Sequence, residues 1–222
     1  DEKMRGITAR VEMTINTIRP SWKRSMQLKV WSKGTDYSMV LITSPAKDKG
    51  VSFLKRKKEV WNWYPTLERV IKLPPSMMSQ SWMGSDFSYQ DLAKADDLID
   101  RYTHKLLNIE QISEPSGNIK VYVIESTPKE SAPVVWGKEV LEIREDKIIM
   151  RHEFYDQEMK LVKKLTTHDI RMMGGKMYPG TMRMEKSDLR DEWTEVANEK
   201  IEFSITVPES TFTVSNLSNP RQ

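Results

Sequence analysis

The 222-residue chain contains no cysteine. That removes disulfides, thiol nucleophiles and thiolate-bound metals among these residues together, and none of them is a cysteine that an acyl anchor could use. Histidine is scarce, only His104, His152 and His168. None falls in an HExxH or HxH arrangement, and neighbours on a strand, such as His152 and Glu153, point to opposite faces. No glycine-rich phosphate loop follows a strand, and there is no GxSxG elbow. The expectation is therefore no catalytic residue, no metal and no cofactor. Long apolar runs are missing too. The longest clean stretch, Met39-Val40-Leu41-Ile42, is strand length, far from the roughly 18 residues of a membrane helix. Charge of one sign is also lacking. There are 35 basic and 32 acidic residues, for a net charge of +3, and both signs are spread along the chain. The longest basic block, Lys55-Arg56-Lys57-Lys58, reads as a solvated strand end. A nucleic-acid partner is not expected.

What is present is period-two alternation, the mark of half-buried strands. Ile7, Ala9, Val11, Met13 and Ile15 form one face, with Thr8, Arg10, Glu12, Thr14 and Asn16 opposite. Trp22, Met26, Leu28 and Val30 repeat the pattern. Further strands are expected at 37–43, 51–54, 59–64 and 67–73, before Pro74-Pro75. They return at 103–110, 119–126, 138–145, 147–156, 159–171, 176–186 and 193–206. Met173-Gly174-Gly175-Lys176 is a hairpin turn, because two glycines allow positive φ at both central positions. About ten or eleven strands with one or two short helices is a mainly β (α+β) plan. A sheet that large curls, and its apolar face needs a cover or a ligand.

Methionine is the unusual component, with 14 residues beside seven tryptophans. Met is flexible and polarisable and repacks around variable partners. After Pro74-Pro75, the stretch Ser76 to Gly84 has no strand or helix period and concentrates Met77, Met78, Trp82 and Met83. The whole segment from Pro74 to Leu92, Phe87 included, reads as an apolar lid. Ser88-Tyr89-Gln90-Asp91 has the capping-box form, so a short helix should follow through Leu92, Ala95, Leu98 and Ile99. Arg24 falls on the apolar side of its strand, between Trp22 and Met26, and is a candidate polar latch beneath the lid.

Trp82-Met83-Gly84-Ser85-Asp86-Phe87-Ser88-Tyr89-Gln90-Asp91-Leu92 closely resembles a signature of bacterial outer-membrane lipoprotein-sorting proteins, the LolA-like group. Upstream, Val60-Trp61-Asn62-Trp63-Tyr64-Pro65-Thr66-Leu67 resembles another strand of that group; downstream, Val135-Trp136-Gly137-Lys138 and Glu153-Phe154-Tyr155-Asp156 resemble its later strands, and the likeness runs from about Arg5 to Leu217. The resemblance implies one domain over residues 1–222. In it a single curved antiparallel sheet forms a half-open β-barrel, and short helices and a loop lid cover its concave apolar face. It implies a carrier of lipid or lipoprotein acyl chains in the periplasm of a Gram-negative bacterium, with a secretory signal already removed. It is not expected to be an enzyme. An inner-membrane transporter, such as an RND-type exporter, is a candidate partner, and transient contact with a membrane surface is a candidate interaction. A lipid-sensing regulator on the same scaffold, acting through a protein partner, stays open as the alternative. The residues expected to line the cavity and lid are Val11, Met13, Met26, Leu28, Val30, Met39, Leu41, Trp61, Trp63, Met77, Met78, Trp82, Met83 and Phe87.

Overall fold

A computed structural model of the chain describes residues 8–93, 97–114, 117–130, 132 and 134–220. Ile7 and Ala95 of the sequence reading lie outside these.

The first six strands are β1 (Thr8–Arg19), β2 (Trp22–Lys33), β3 (Tyr37–Ser44), β4 (Ser52–Arg56), β5 (Glu59–Tyr64) and β6 (Arg69–Lys72). A crossing segment then carries a single 3-10 turn (Pro75–Met77) and two one-turn helices, α1 (Tyr89–Ala93) and α2 (Asp97–Arg101). Seven more strands follow: β7 (Tyr102–Glu114), β8 (Gly117–Pro128), β9 (Lys138–Arg144), β10 (Ile149–Tyr155), β11 (Leu161–Met173), β12 (Lys176–Lys186) and β13 (Trp193–Phe203). All thirteen form one antiparallel sheet in the order β6-β5-β4-β3-β2-β1-β13-β12-β11-β10-β9-β8-β7. The count exceeds the ten or eleven expected, although each of the thirteen falls on a segment picked out by its sequence pattern. The two halves are both meanders. They join through β1 and β13, whose pairing brings the start of the chain to its end. β6 and β7 form the two edges, so the sheet is open.

Register decides which side chains share a face, because directly opposed residues in an antiparallel pair point the same way. Val11 opposes Val30, Met13 opposes Leu28, Ile15 opposes Met26 and Thr17 opposes Arg24. These define the inner face. Across β13 and β12 it continues through Val196, which opposes both Ile15 and Met182. It then runs through Met184, Leu165, His152, Leu141 and Ile124, each opposite the last. The outer face of the same strands carries ion pairs, among them Arg183–Glu195, Lys164–Glu185, Arg151–Glu142 and Lys138–Glu125. Such exposed pairs add little stability, but they mark the side that meets water.

Strands β2 to β6 are apolar on both faces. On their outer side Trp31, Met39, Leu41 and Leu54 are buried beneath Phe212 and Leu217. Those two side chains belong to a segment of 3-10 turns (Glu209–Phe212 and Val214–Asn216) that follows β13. The Ser52 hydroxyl donates to the Leu217 carbonyl at 2.7 Å and pins this outer layer. Gly174 and Gly175 adopt φ of 56° and 85°, as the β11–β12 hairpin turn requires.

Candidate functional site: an inner apolar face under a latched lid

β6 stops where Pro74 and Pro75 remove two backbone donors from the ladder. The chain then turns back across the inner face. Its apolar side chains enter the sheet's core: Met78, Trp82, Tyr89 and Ala93 are buried with Met26, Leu28, Ile42, Phe53, Val60 and Ile15. Trp82 is 2% exposed and packs edge-on against Phe53 at 5.4 Å between ring centroids. The Tyr89 phenol lies beneath the lid, accepting from Asn62 Nδ2 at 3.2 Å. Burial first, and then the Tyr64 hydroxyl at 3.4 Å, push it above the usual tyrosine range, so it stays neutral.

Three polar clamps fasten the lid. In the first, Met83 and Gly84 turn through φ of 51° and 74°, a left-handed pair costly for Met. This aims the Met83 carbonyl at Arg24, whose Nη1 donates to it at 2.9 Å while Nη2 pairs with Asp48 at 2.8 Å. In the second, Asp86 is 0% exposed at its side chain. It accepts two bonds from the Arg19 guanidinium at 3.0 Å each and one from Thr194 Oγ1 at 2.7 Å. In the third, Ser88 and Asp91 form a reciprocal capping box. The Asp91 backbone N–H donates to Ser88 Oγ, and the Ser88 N–H and hydroxyl both donate to the Asp91 carboxylate. That carboxylate also takes Lys163 Nζ at 2.5 Å, and Lys163 itself sits over Phe154 and Trp136.

Beneath the lid the packing is close but not satisfied. The space left among Val40, Phe53, Val60, Trp82 and Ala93 is about 30 Å³, room for one or two water molecules. Four buried polar atoms here lack a partner: Thr17 Oγ1, Arg24 Nε, Asn62 Oδ1 and Trp82 Nε1. Each such atom costs roughly 1–3 kcal/mol. A shallower cleft of about 240 Å³ opens at the lid's edge, between Ser79, Ser81, Phe87, Gln90, Trp136 and Lys163.

The residues expected to line the cavity divide into two groups. Val11, Met13, Met26, Leu28 and Val30 share the inner face by register, and Met78, Trp82, Met83 and Phe87 pack against it from the lid. Met39, Leu41, Trp61 and Trp63 do not belong with them. They lie on the outer face, in or against the second core under Phe212 and Leu217. Met77 is 36% exposed and belongs to neither core. Several residues were not anticipated. Arg19, Asp86 and Thr194 make the most buried clamp, and Asp86 sits inside the resembling motif, which was its only signal. Beyond the lid, the inner face continues through Tyr122, Ile124, Ile143 and Leu165, which are partly buried, around Leu141, which is 2% exposed. His152 also faces inward, bonding the buried Glu139 at 2.6 Å and stacking on Phe154. Among the described residues no group of His, Asp and Glu could hold a metal ion.

A family model described as "Uncharacterized protein" matches residues 34–219, most of the chain. The chain belongs to that family. Its fold is shared with three crystal structures. A DUF1329 family protein from Desulfovibrio piger superposes with a TM-score of 0.85 at 24% identity, over 98% of this chain and 94% of that one. An outer membrane lipoprotein-sorting protein domain from Vibrio parahaemolyticus gives 0.82 at 22% identity, over 96% and 92%. A LolA superfamily protein from Nitrosomonas europaea gives 0.75 at 24% identity, over 96% of each chain. The family member is thus LolA-like in fold: mainly β, with one unclosed sheet and few helices. No curated protein matches it in sequence.

Proposed function

We propose that this family member is a periplasmic carrier that binds lipid or lipoprotein acyl chains on the inner face of its sheet, exchanging its own lid for the cargo. The observation that carries the reading is the lid interface. It is largely apolar, with Met78, Trp82 and Tyr89 packed on the sheet, yet Thr17, Arg24, Asn62 and Trp82 each keep a polar atom there without a protein partner. Opening the lid exposes Met78, Trp82 and Tyr89, at about 1.5–3 kcal/mol for each large side chain, and returns those polar atoms to water. An acyl chain of about fifteen methylenes, at roughly 0.8 kcal/mol each, regains ~12 kcal/mol by lying on the same surface. The two states are then close enough for cargo to shift the balance. The partly exposed strip through Ile124, Ile143 and Leu165 gives the chain a place to begin.

Binding, not turnover, fits the polar groups on this face. Asp86, Asp91 and Lys163 are engaged in clamps, and His152 is held by Glu139. The periplasmic assignment rests on the lipoprotein-sorting and LolA-like neighbours and is part of the proposal.

The test is titration with cis-parinaric acid, paired with mass spectrometry of lipids extracted from the natively purified protein. The expected result is saturable binding, co-purifying acyl lipids, and loss of binding in Ile124→Arg and Leu165→Arg with unchanged thermal unfolding. Absence of both probe binding and co-purified lipid would refute the carrier reading.

A further inference from the structure

The two sheet edges are built differently. The β6 edge is four residues long and carries Arg69 and Lys72, a short charged edge of the kind that resists pairing. The β7 edge is thirteen residues long, and most of it is exposed. Leu106, Leu107 and Ile109 on it are 52%, 47% and 48% exposed. Among the described residues no strand pairs with its free side. A long, apolar, unpaired edge is a template for another strand.

We propose that this edge docks a second copy of the same chain, β7 against β7, antiparallel about a two-fold axis between Leu107 and Asn108. The argument is self-complementarity. In an unbroken strand, residues an odd number apart point to opposite faces. β7 is broken by a bulge: Leu106 opposes Ile124 and Asn108 opposes Val123, so Leu107 is the extra residue. Leu106 and Ile109 therefore both face inward, and Lys105 and Glu110 both face outward. With the axis at Leu107–Asn108, Leu106 meets the partner's Ile109, and Lys105 meets the partner's Glu110. Each contact occurs twice, as a two-fold interface requires. Moving the axis half a residue either way sets Lys105 against the partner's Ile109, or Leu106 against the partner's Glu110, with faces mismatched. The bulge is what lets the apolar pair and the charged pair fall in one register. Docking covers Leu106 and Ile109 on both copies and makes the inner faces of the two sheets continuous.

The experiment is sedimentation velocity of the full chain over a concentration series, with circular dichroism and thermal unfolding as folding controls. The wild type should show a concentration-dependent dimer. Lys105→Glu and Glu110→Lys each place like charges opposite one another twice and should weaken it by about tenfold. An equimolar mixture of those two variants restores both ion pairs and should dimerise like wild type, as should the double variant Lys105→Glu/Glu110→Lys. A wild type that stays monomeric throughout the series would overturn the proposal. So would folded single variants that dimerise normally, or a mixture that fails to recover.

Discussion

Removing the Asp86 carboxylate is the sharpest perturbation of the lid. Asp86→Ala deletes the acceptor of two Arg19 bonds at 3.0 Å and one Thr194 bond at 2.7 Å, at a side chain with no exposure. Breaking a buried ion pair from one side costs about 3–5 kcal/mol, because the remaining charge is stranded. Arg19 keeps bonds to the carbonyls of Ile18, Gly84 and Trp193 and an ion pair with Glu192 at 3.3 Å. The loss should therefore fall at the low end, about 3 kcal/mol. If the lid opens as a unit separate from the sheet, that loss appears in lid opening, where every ~1.4 kcal/mol is tenfold. Hydrogen exchange of the lid amides of Trp82, Ser85, Tyr89 and Gln90, which bond within the lid, should then accelerate by about a hundredfold. Amides in the β1–β13 ladder should change little. Equal acceleration of lid and ladder would mean the lid is part of the global fold. No acceleration in either would mean the clamp contributes nothing. Both results refute the reasoning.

Arg24→Gln removes the charged bond to the Met83 carbonyl and the Asp48 pair; lid opening should become easier by about 1.5–3 kcal/mol, read by the same exchange assay. Ser88→Ala breaks the capping box and should cost about 1 kcal/mol, with exchange accelerating in α1 and unchanged in β7. Phe212→Ala hollows the outer core and should cost about 3–5 kcal/mol in chemical denaturation, while cis-parinaric acid affinity of the folded variant stays at the wild-type value; a fall in affinity would mean that the two faces are not independent.

The strand plan was legible because alternation in β1 and β2 is clean, and Met13, Met26 and Leu28 fall where their parity places them. Arg24 was legible for the same reason. The face of β3 and β5 was not. Met39-Val40-Leu41-Ile42 is apolar at both parities, so period two cannot say which pair faces inward. The decision rests with Phe212 and Leu217, more than 150 positions downstream. The inner strip at β8 was hidden in the same way, since Val121, Tyr122, Val123 and Ile124 also offer apolar residues to both sides. The Arg19–Asp86 clamp joins residues 67 positions apart, and the Glu139–His152 bond crosses two strands; no local period encodes either. Bulges, such as the one at Leu107, change parity without a glycine or proline to announce them.

The central claim is that the inner face, and not the outer core, receives an acyl chain. A fatty acid carrying a terminal diazirine, photolysed on the purified protein and mapped by peptide mass spectrometry, tests it directly. The account predicts crosslinks to inner-face residues such as Met26, Leu28, Ile124 and Leu165 and to the lid around Met78 and Trp82. Crosslinks concentrated at Trp61, Trp63 and Phe212, or none that a competing unlabelled fatty acid suppresses, would contradict it.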